Sequence, residues 1–209
     1  MSNELLFTKF EGAGNDYLLV DGIVDPFPEE RGPELARAMS HRRTGVGADG
    51  LIVLAPEADP QQGVVGRMWM WNADGSRGAM CGNGLRLLGR FAREQGHAPG
   101  DGMAIATDVG VRWIELMREP GQRIVGARVL FPPVEVSSEA LPLADCPGFP
   151  PGTALHPASV GNPHAVVFVS DAPEGYPLDV LGAALQQHPR FPDGVNVELV
   201  QVVDGGVRQ

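Results

Sequence analysis

The stretch Trp71-Asn72-Ala73-Asp74-Gly75-Ser76-Arg77-Gly78-Ala79-Met80-Cys81-Gly82-Asn83-Gly84 sets one cysteine between small, turn-forming residues and the start of an apolar helix. The helix is expected over about 83–95, where Leu85, Leu87, Leu88, Phe91 and Ala92 recur at helical spacing and Arg86, Arg90 and Arg93 run along one side. Most of its circumference should be buried. A cysteine at such an N-terminus meets unpaired backbone N–H groups and the positive end of the helix dipole, and both favour thiolate over thiol. By residue type alone a free cysteine is more often a small buried hydrophobe. Gly82 and Gly84 change that balance, because they let a ligand approach the backbone as it does in anion-binding loops.

Outward from this centre, strands are expected at 5–9 and 17–21 around a Gly-rich turn, at 51–55, and at 67–71 just before the cysteine. A short helix is expected at 34–42. The segments 103–107 and 111–117 read as a hairpin about Asp108-Val109-Gly110, and Glu119-Pro120-Gly121 marks the end of a first half. The second half then runs through 123–131, a proline-rich loop, a strand at 165–169, a helix at 178–187 and a strand at 195–203. The expected domains are therefore 1–120 and 121–209. With 28 Gly and 19 Pro the chain should turn often between short strands, which suits an α+β architecture better than a helical bundle.

Composition narrows the partners. A chain of 209 residues, 43% hydrophobic, can hold a sizeable core. Its net charge of −10 argues against nucleic acid or an anionic membrane. Two cysteines make no secreted disulfide framework, and neither a signal segment nor an 18-residue apolar run is legible, so the expected location is cytoplasmic. A homodimer stays open. The loop Gly45-Val46-Gly47-Ala48-Asp49-Gly50 carries neither the Lys-Ser/Thr of a phosphate loop nor a strand-to-helix setting. Five scattered histidines and no Cys-x-x-Cys pair give a metal little support.

Five segments together resemble the diaminopimelate epimerase family. Asn72-Ala73-Asp74-Gly75-Ser76 followed by Cys81-Gly82-Asn83-Gly84 is similar to its first active-site motif. Lys9-Phe10-Glu11-Gly12-Ala13-Gly14-Asn15-Asp16-Tyr17 resembles its opening turn, and Arg43-Thr44-Gly45-Val46-Gly47-Ala48-Asp49-Gly50 its second glycine-rich loop. Val160-Gly161-Asn162-Pro163-His164 and Val195-Asn196-Val197 match its two later asparagine turns, in the family's order and spacing. The resemblance implies two similar domains, each a curved, mostly antiparallel sheet wrapped round a central helix, with substrate in the cleft between them. It implies a small-molecule amino-acid partner and stereoinversion at its α-carbon without pyridoxal phosphate or any other cofactor, between LL- and meso-diaminopimelate, a precursor of lysine and peptidoglycan. One sulfur removes the α-proton and a second delivers a proton from the opposite face.

Carried over residue by residue, the resemblance makes Cys81 and His164 catalytic, and Asn15, Asn72, Gly82, Asn83, Asn162 and Asn196 substrate-binding. Taken singly, the asparagines beside Gly, Pro or Asp are ordinary turn residues and His164 is a hydrogen-bonded structural histidine. The resemblance also implies a second cysteine after a Glu-Arg-Gly segment, opening the second domain's central helix, with that glutamate as partner of His164. The sequence runs to Val207-Arg208-Gln209, so the expectation is an incomplete second domain whose sheet lacks its helix, and little epimerase activity from this chain by itself. Cys146, in Ala144-Asp145-Cys146-Pro147-Gly148, is read as a surface or packing cysteine rather than the missing thiol. The alternatives are another cofactor-independent amino-acid racemase of the same fold and, from a different class, a noncatalytic remnant or binding module.

Overall fold

The computed structural model describes residues 4–58, 63–143, 150, 152–192 and 194–208. The chain divides into two compact units, Met1–Phe131 and Pro132–Gln209.

In the first unit β1 (Thr8–Gly12) and β2 (Asn15–Asp21) form a hairpin, followed by α1 (Gly32–Ser40), β3 (Gly50–Ala55), β4 (Val64–Asn72) and the short β5 (Arg77–Gly78). Then come α2 (Gly82–Glu94), β6 (Gly102–Ala106), β7 (Arg112–Arg118) and β8 (Ile124–Leu130). The strands lie in the order β1-β2-β3-β4-β6-β7-β8, with β5 on β4. Pairings β2–β3 and β4–β6 are parallel and the rest antiparallel. Seven strands laid flat would span about 29 Å, more than twice the width of a helix. Yet α2 touches both end strands, β1 and β8, as well as those between. The sheet must therefore curl round α2.

The two faces explain the sequence of the middle strands. Leu19, Ile52, Leu54, Met68 and Met70 meet Leu85, Leu88 and Phe91 of α2 on the concave side. Leu18, Val20, Leu51, Val53 and Trp71 meet Ala36 of α1 on the other. A strand covered on both faces has no polar side, and β3 is buried throughout. Each such leucine or isoleucine stabilises the fold by about 1.5–3 kcal/mol.

In the second unit β9 (Glu135–Val136), β10 (Leu141–Pro142), β11 (Ala154–Ser159) and β12 (Pro163–Val169) precede α3 (Leu178–Gln186), β13 (Asn196–Val203) and β14 (Gly206–Arg208). The order is β10-β11-β12-β13-β14, with β9 on β11 and β12–β13 parallel. Ala165, Val167, Val169 and Leu199 pack with Leu181 and Leu185 of α3. The alternate positions His164, Val166, Phe168, Glu198 and Val202 point to the opposite face, where Phe168 and Val202 are exposed.

The α+β class and the curved sheet on a central helix agree with the sequence reading, and most elements lie within a few residues of their expected places. The segment 123–131 differs. Assigned from sequence to the second half, it is the last strand of the first sheet, paired antiparallel with β7 from Trp113↔Leu130 to Met117↔Gly126. Glu119-Pro120-Gly121 is a hairpin turn, closed by Glu119 N–H to the Arg123 carbonyl at 3.0 Å and held by left-handed Gly121 and Gln122. The strand β11 was hidden in sequence by its proline-rich approach. The reading of Cys146 concerns a position outside the described residues.

Candidate active site

Cys81 is the N-cap of α2, with extended backbone and its carbonyl accepting the Leu85 N–H at 2.8 Å. The sulfur does what a serine or aspartate oxygen usually does there: Sγ accepts the Gly84 N–H at 3.3 Å. Gly84 suits this place because an added Cβ would lie 2.7 Å from Ile52 Cδ1, so the helix start beds closely on β3. The Tyr17 hydroxyl lies 3.4 Å from the same sulfur. Tyr17 is buried, and that burial, followed by the thiol beside it and the carboxylates of Asp49 and Asp16, holds its hydroxyl well above the usual tyrosine range. It stays protonated.

A directional run of hydrogen bonds ties the first three motifs together. Arg86 donates to Asn83 Oδ1, Asn83 Nδ2 donates to Asn15 Oδ1 at 2.8 Å, and Asn15 Nδ2 donates to the Asp49 carboxylate at 3.0 Å. Cation at one end and anion at the other orient both amides. Asp49 also accepts the Asp16 N–H at 3.1 Å and pairs with Arg42 at 2.8 Å. Arg42 in turn clasps Asp16, whose carboxyl is held well below the usual carboxylate range by that bond and by Lys9. Lys9 Nζ reaches the Gly47 carbonyl at 2.6 Å. Single exposed ion pairs contribute little, but this network closes the two glycine-rich loops on one another.

Asn72 ends β4 opposite Gly50, and its Nδ2 donates to Ser76 Oγ at 2.9 Å. Asp74 accepts both the Ser76 hydroxyl and its N–H, and these bonds lower its carboxyl below the usual range. Ala73 N–H to the Asp49 carbonyl at 2.9 Å fixes this turn to the second loop. Asn15, Asn72, Cys81, Gly82 and Asn83 thus belong to one constellation within the first unit. A cavity of about 210 Å³ adjoins it, lined by Gly12, Ala13, Asn83, Arg86, Arg90 and Ala127 among others.

The other three predicted residues gather in the second unit. His164 and Asn196 are register partners across β12 and β13. His164 Nδ1 lies 2.7 Å from Glu198 Oε1, its Nε2 lies 3.3 Å from Asn162 Oδ1, and Asn196 Nδ2 donates to the Pro163 carbonyl at 3.2 Å. Among the described residues it is Glu198 that holds His164. Tyr17, Asp49, Arg86 and Glu198 were not singled out from sequence. Tyr17 and Asp49 stand inside quoted motifs, and a tyrosine opening the aliphatic run Leu18 to Val20 was the signal available.

Among the described residues no cluster of three or more His, Cys, Asp or Glu side chains could hold a metal ion, and no helix is long and apolar enough to cross a membrane.

The model of the family described as diaminopimelate epimerase matches residues 7–128. The diaminopimelate epimerase of Moorella thermoacetica is 37% identical over 211 residues, a match covering 95% of this chain and 72% of the relative. The chain belongs to the diaminopimelate epimerase family. By family it is an amino-acid epimerase, an isomerase. A second diaminopimelate epimerase, from Methanothermobacter thermautotrophicus, is 36% identical over 209 residues, covering 95% of this chain and 71% of its own. Among solved structures, a hydroxyproline epimerase from Agrobacterium vitis with bound trans-4-hydroxy-L-proline superposes with TM-score 0.69 at 16% identity, covering 97% of this chain and 68% of that one. A probable proline racemase from Agrobacterium radiobacter K84 gives 0.66 at 16% identity, covering 93% and 66%. At such identity these two show a shared fold.

Proposed function

We propose that the reaction this chain serves is the cofactor-independent epimerisation of diaminopimelate between its LL and meso forms, with Cys81 as the base on one face of the α-carbon. The observation that carries the reading is the place of the sulfur: it caps α2 and accepts a backbone N–H, beside the first-turn N–H groups of Gly82 and Asn83. An α-proton is a poor acid. As the C–H bond breaks and an S–H bond forms, the electron pair spreads from the α-carbon into the substrate carboxylate. Helix-start N–H groups, which have no partner within the helix, are suited to that charge. One such preorganised donor is commonly worth about 10²–10³ in rate.

Asn15, Asn72, Asn162 and Asn196 are assigned to the substrate's amino and carboxylate groups, and His164, held by Glu198, to support of the proton transfers. Inversion then needs a proton from the opposite face, and in the two-thiol scheme a second S–H gives it. Cys146 is not assigned that role. A reduced thiol fits the cytoplasm, which the reading takes as the setting.

The test is to incubate LL- and meso-diaminopimelate separately with the purified chain in deuterated water, following α-deuterium by NMR and configuration by chiral chromatography. Incorporation that requires Cys81 is expected. No incorporation into either isomer, or equal incorporation by Cys81→Ala, defeats the proposal.

A further inference from the structure

We propose that Tyr17 is a catalytic residue, its hydroxyl donating a hydrogen bond to the Cys81 sulfur and holding that sulfur aimed for proton transfer. The inference rests on the reading of Cys81 as the reacting thiol and adds the group that controls it.

Two donors of different origin converge on Sγ. The backbone N–H of Gly84 approaches at 3.3 Å from within α2, and the Tyr17 hydroxyl at 3.4 Å from β2. The tyrosine is anchored from both sides, since Tyr17 pairs with Phe10 on β1 and with Gly50 on β3. The residue is 5% exposed and belongs to the apolar cluster on which α2 rests. Phenylalanine would fill that space equally well, so packing does not account for the hydroxyl. A buried phenol oxygen is ordinarily satisfied by a carbonyl or a carboxylate. Here its partner is sulfur.

The direction of the bond follows from the surroundings. The hydroxyl keeps its proton, because burial and the neighbouring carboxylates of Asp49 and Asp16 oppose its loss. The Gly84 N–H can only donate. With two donors facing it, the sulfur is the acceptor, and an accepting sulfur is most strongly bonded when it carries the charge. Asp49 and Asp16 would disfavour a second anion nearby, but Arg42 pairs with both and Lys9 pairs with Asp16. Tyr17 therefore offsets the unfavourable part of that field at the thiol while remaining neutral. During proton abstraction the hydroxyl bond weakens as S–H forms, and it is restored when the proton leaves.

The experiment reads the thiol directly. Iodoacetamide labelling of Cys81 at pH 7, followed on its own peptide by mass spectrometry, is compared in the parent chain and in Tyr17→Phe. Labelling at least threefold slower is expected, because the sulfur loses one of its two donors. An unchanged or faster rate overturns the proposal, since a hydroxyl that merely shields the sulfur would expose it on removal. A second arm keeps the test decisive if Tyr17→Phe folds poorly. The chain has two tyrosines, so biosynthetic 3-fluorotyrosine in a Tyr176→Phe background places a more acidic hydroxyl at position 17 alone. Faster labelling is expected there, and an equal or slower rate overturns the proposal. Failure of diaminopimelate exchange with both labelling results intact would sink the substrate reading and leave Tyr17's hold on the thiol standing. The reverse pattern would sink Tyr17 alone.

Discussion

Glu198 holds His164 from the neighbouring strand, Oε1 to Nδ1 at 2.7 Å, because β12 and β13 run parallel with His164 opposite Asn196 and Glu198 two residues further on the same face. A carboxylate at Nδ1 requires that nitrogen to carry a proton, while Nε2 faces the Asn162 side-chain oxygen. In Glu198→Leu, similar in bulk but without an acceptor, the neutral imidazole should redistribute toward the Nε2–H tautomer. Nitrogen-15 NMR of the His164 ring checks this, and an unchanged tautomer balance would show that the pair does not orient the ring.

The run from Arg86 through Asn83 and Asn15 to Asp49 has a polarity that one oxygen can reverse. Asn15→Asp replaces the donor facing Asp49 by a second carboxylate. The expected loss is about 1–3 kcal/mol of stability. Urea unfolding should show a lower midpoint with an unchanged slope.

Gly50 passes close to the strand beside it, and an added Cβ would lie 2.4 Å from the Trp71 carbonyl oxygen. Neither strand can yield without loss of pairing at the position next to Asp49. Gly50→Ala should therefore destabilise by about 1–3 kcal/mol, seen as a lower thermal midpoint, and should slow Cys81 labelling little if the helix start is unmoved.

Asp16 fixes the sign of one pH effect. Its carboxyl is held below the ordinary carboxylate value of about 4 by Arg42 and Lys9, so the unfolded chain takes up a proton there first. Its contribution is fully present above that value and is lost as pH falls below it toward the lowered folded value. Asp16→Asn should flatten the acid limb of a stability-against-pH curve by up to one proton. An acid limb of equal steepness in the variant would contradict the assignment.

The start of α2 was legible because glycines and a helical apolar pattern are local signals, and Cys81 stands where they meet. The partners of that cysteine were not. Tyr17 and Cys81 are 64 residues apart, and Asn15 and Asn83 are 68 apart; only the curl of the sheet brings them together. The place of β8 was misread for a related reason. Pro120-Gly121 signals a turn, and a turn between paired strands has the same chemistry as a link between domains. Whether 124–130 pairs backward or forward depends on β7, not on the turn.

The long separation between Tyr17 and Cys81 has a kinetic consequence. The contact of the thiol with Tyr17 joins β2 to the start of α2 and closes only when these have found one another, which places it among the slow, nonlocal events of assembly. The sulfur's labelling rate is thus a clock for the last step of maturation: it should change late in refolding, after most of the far-ultraviolet signal has returned.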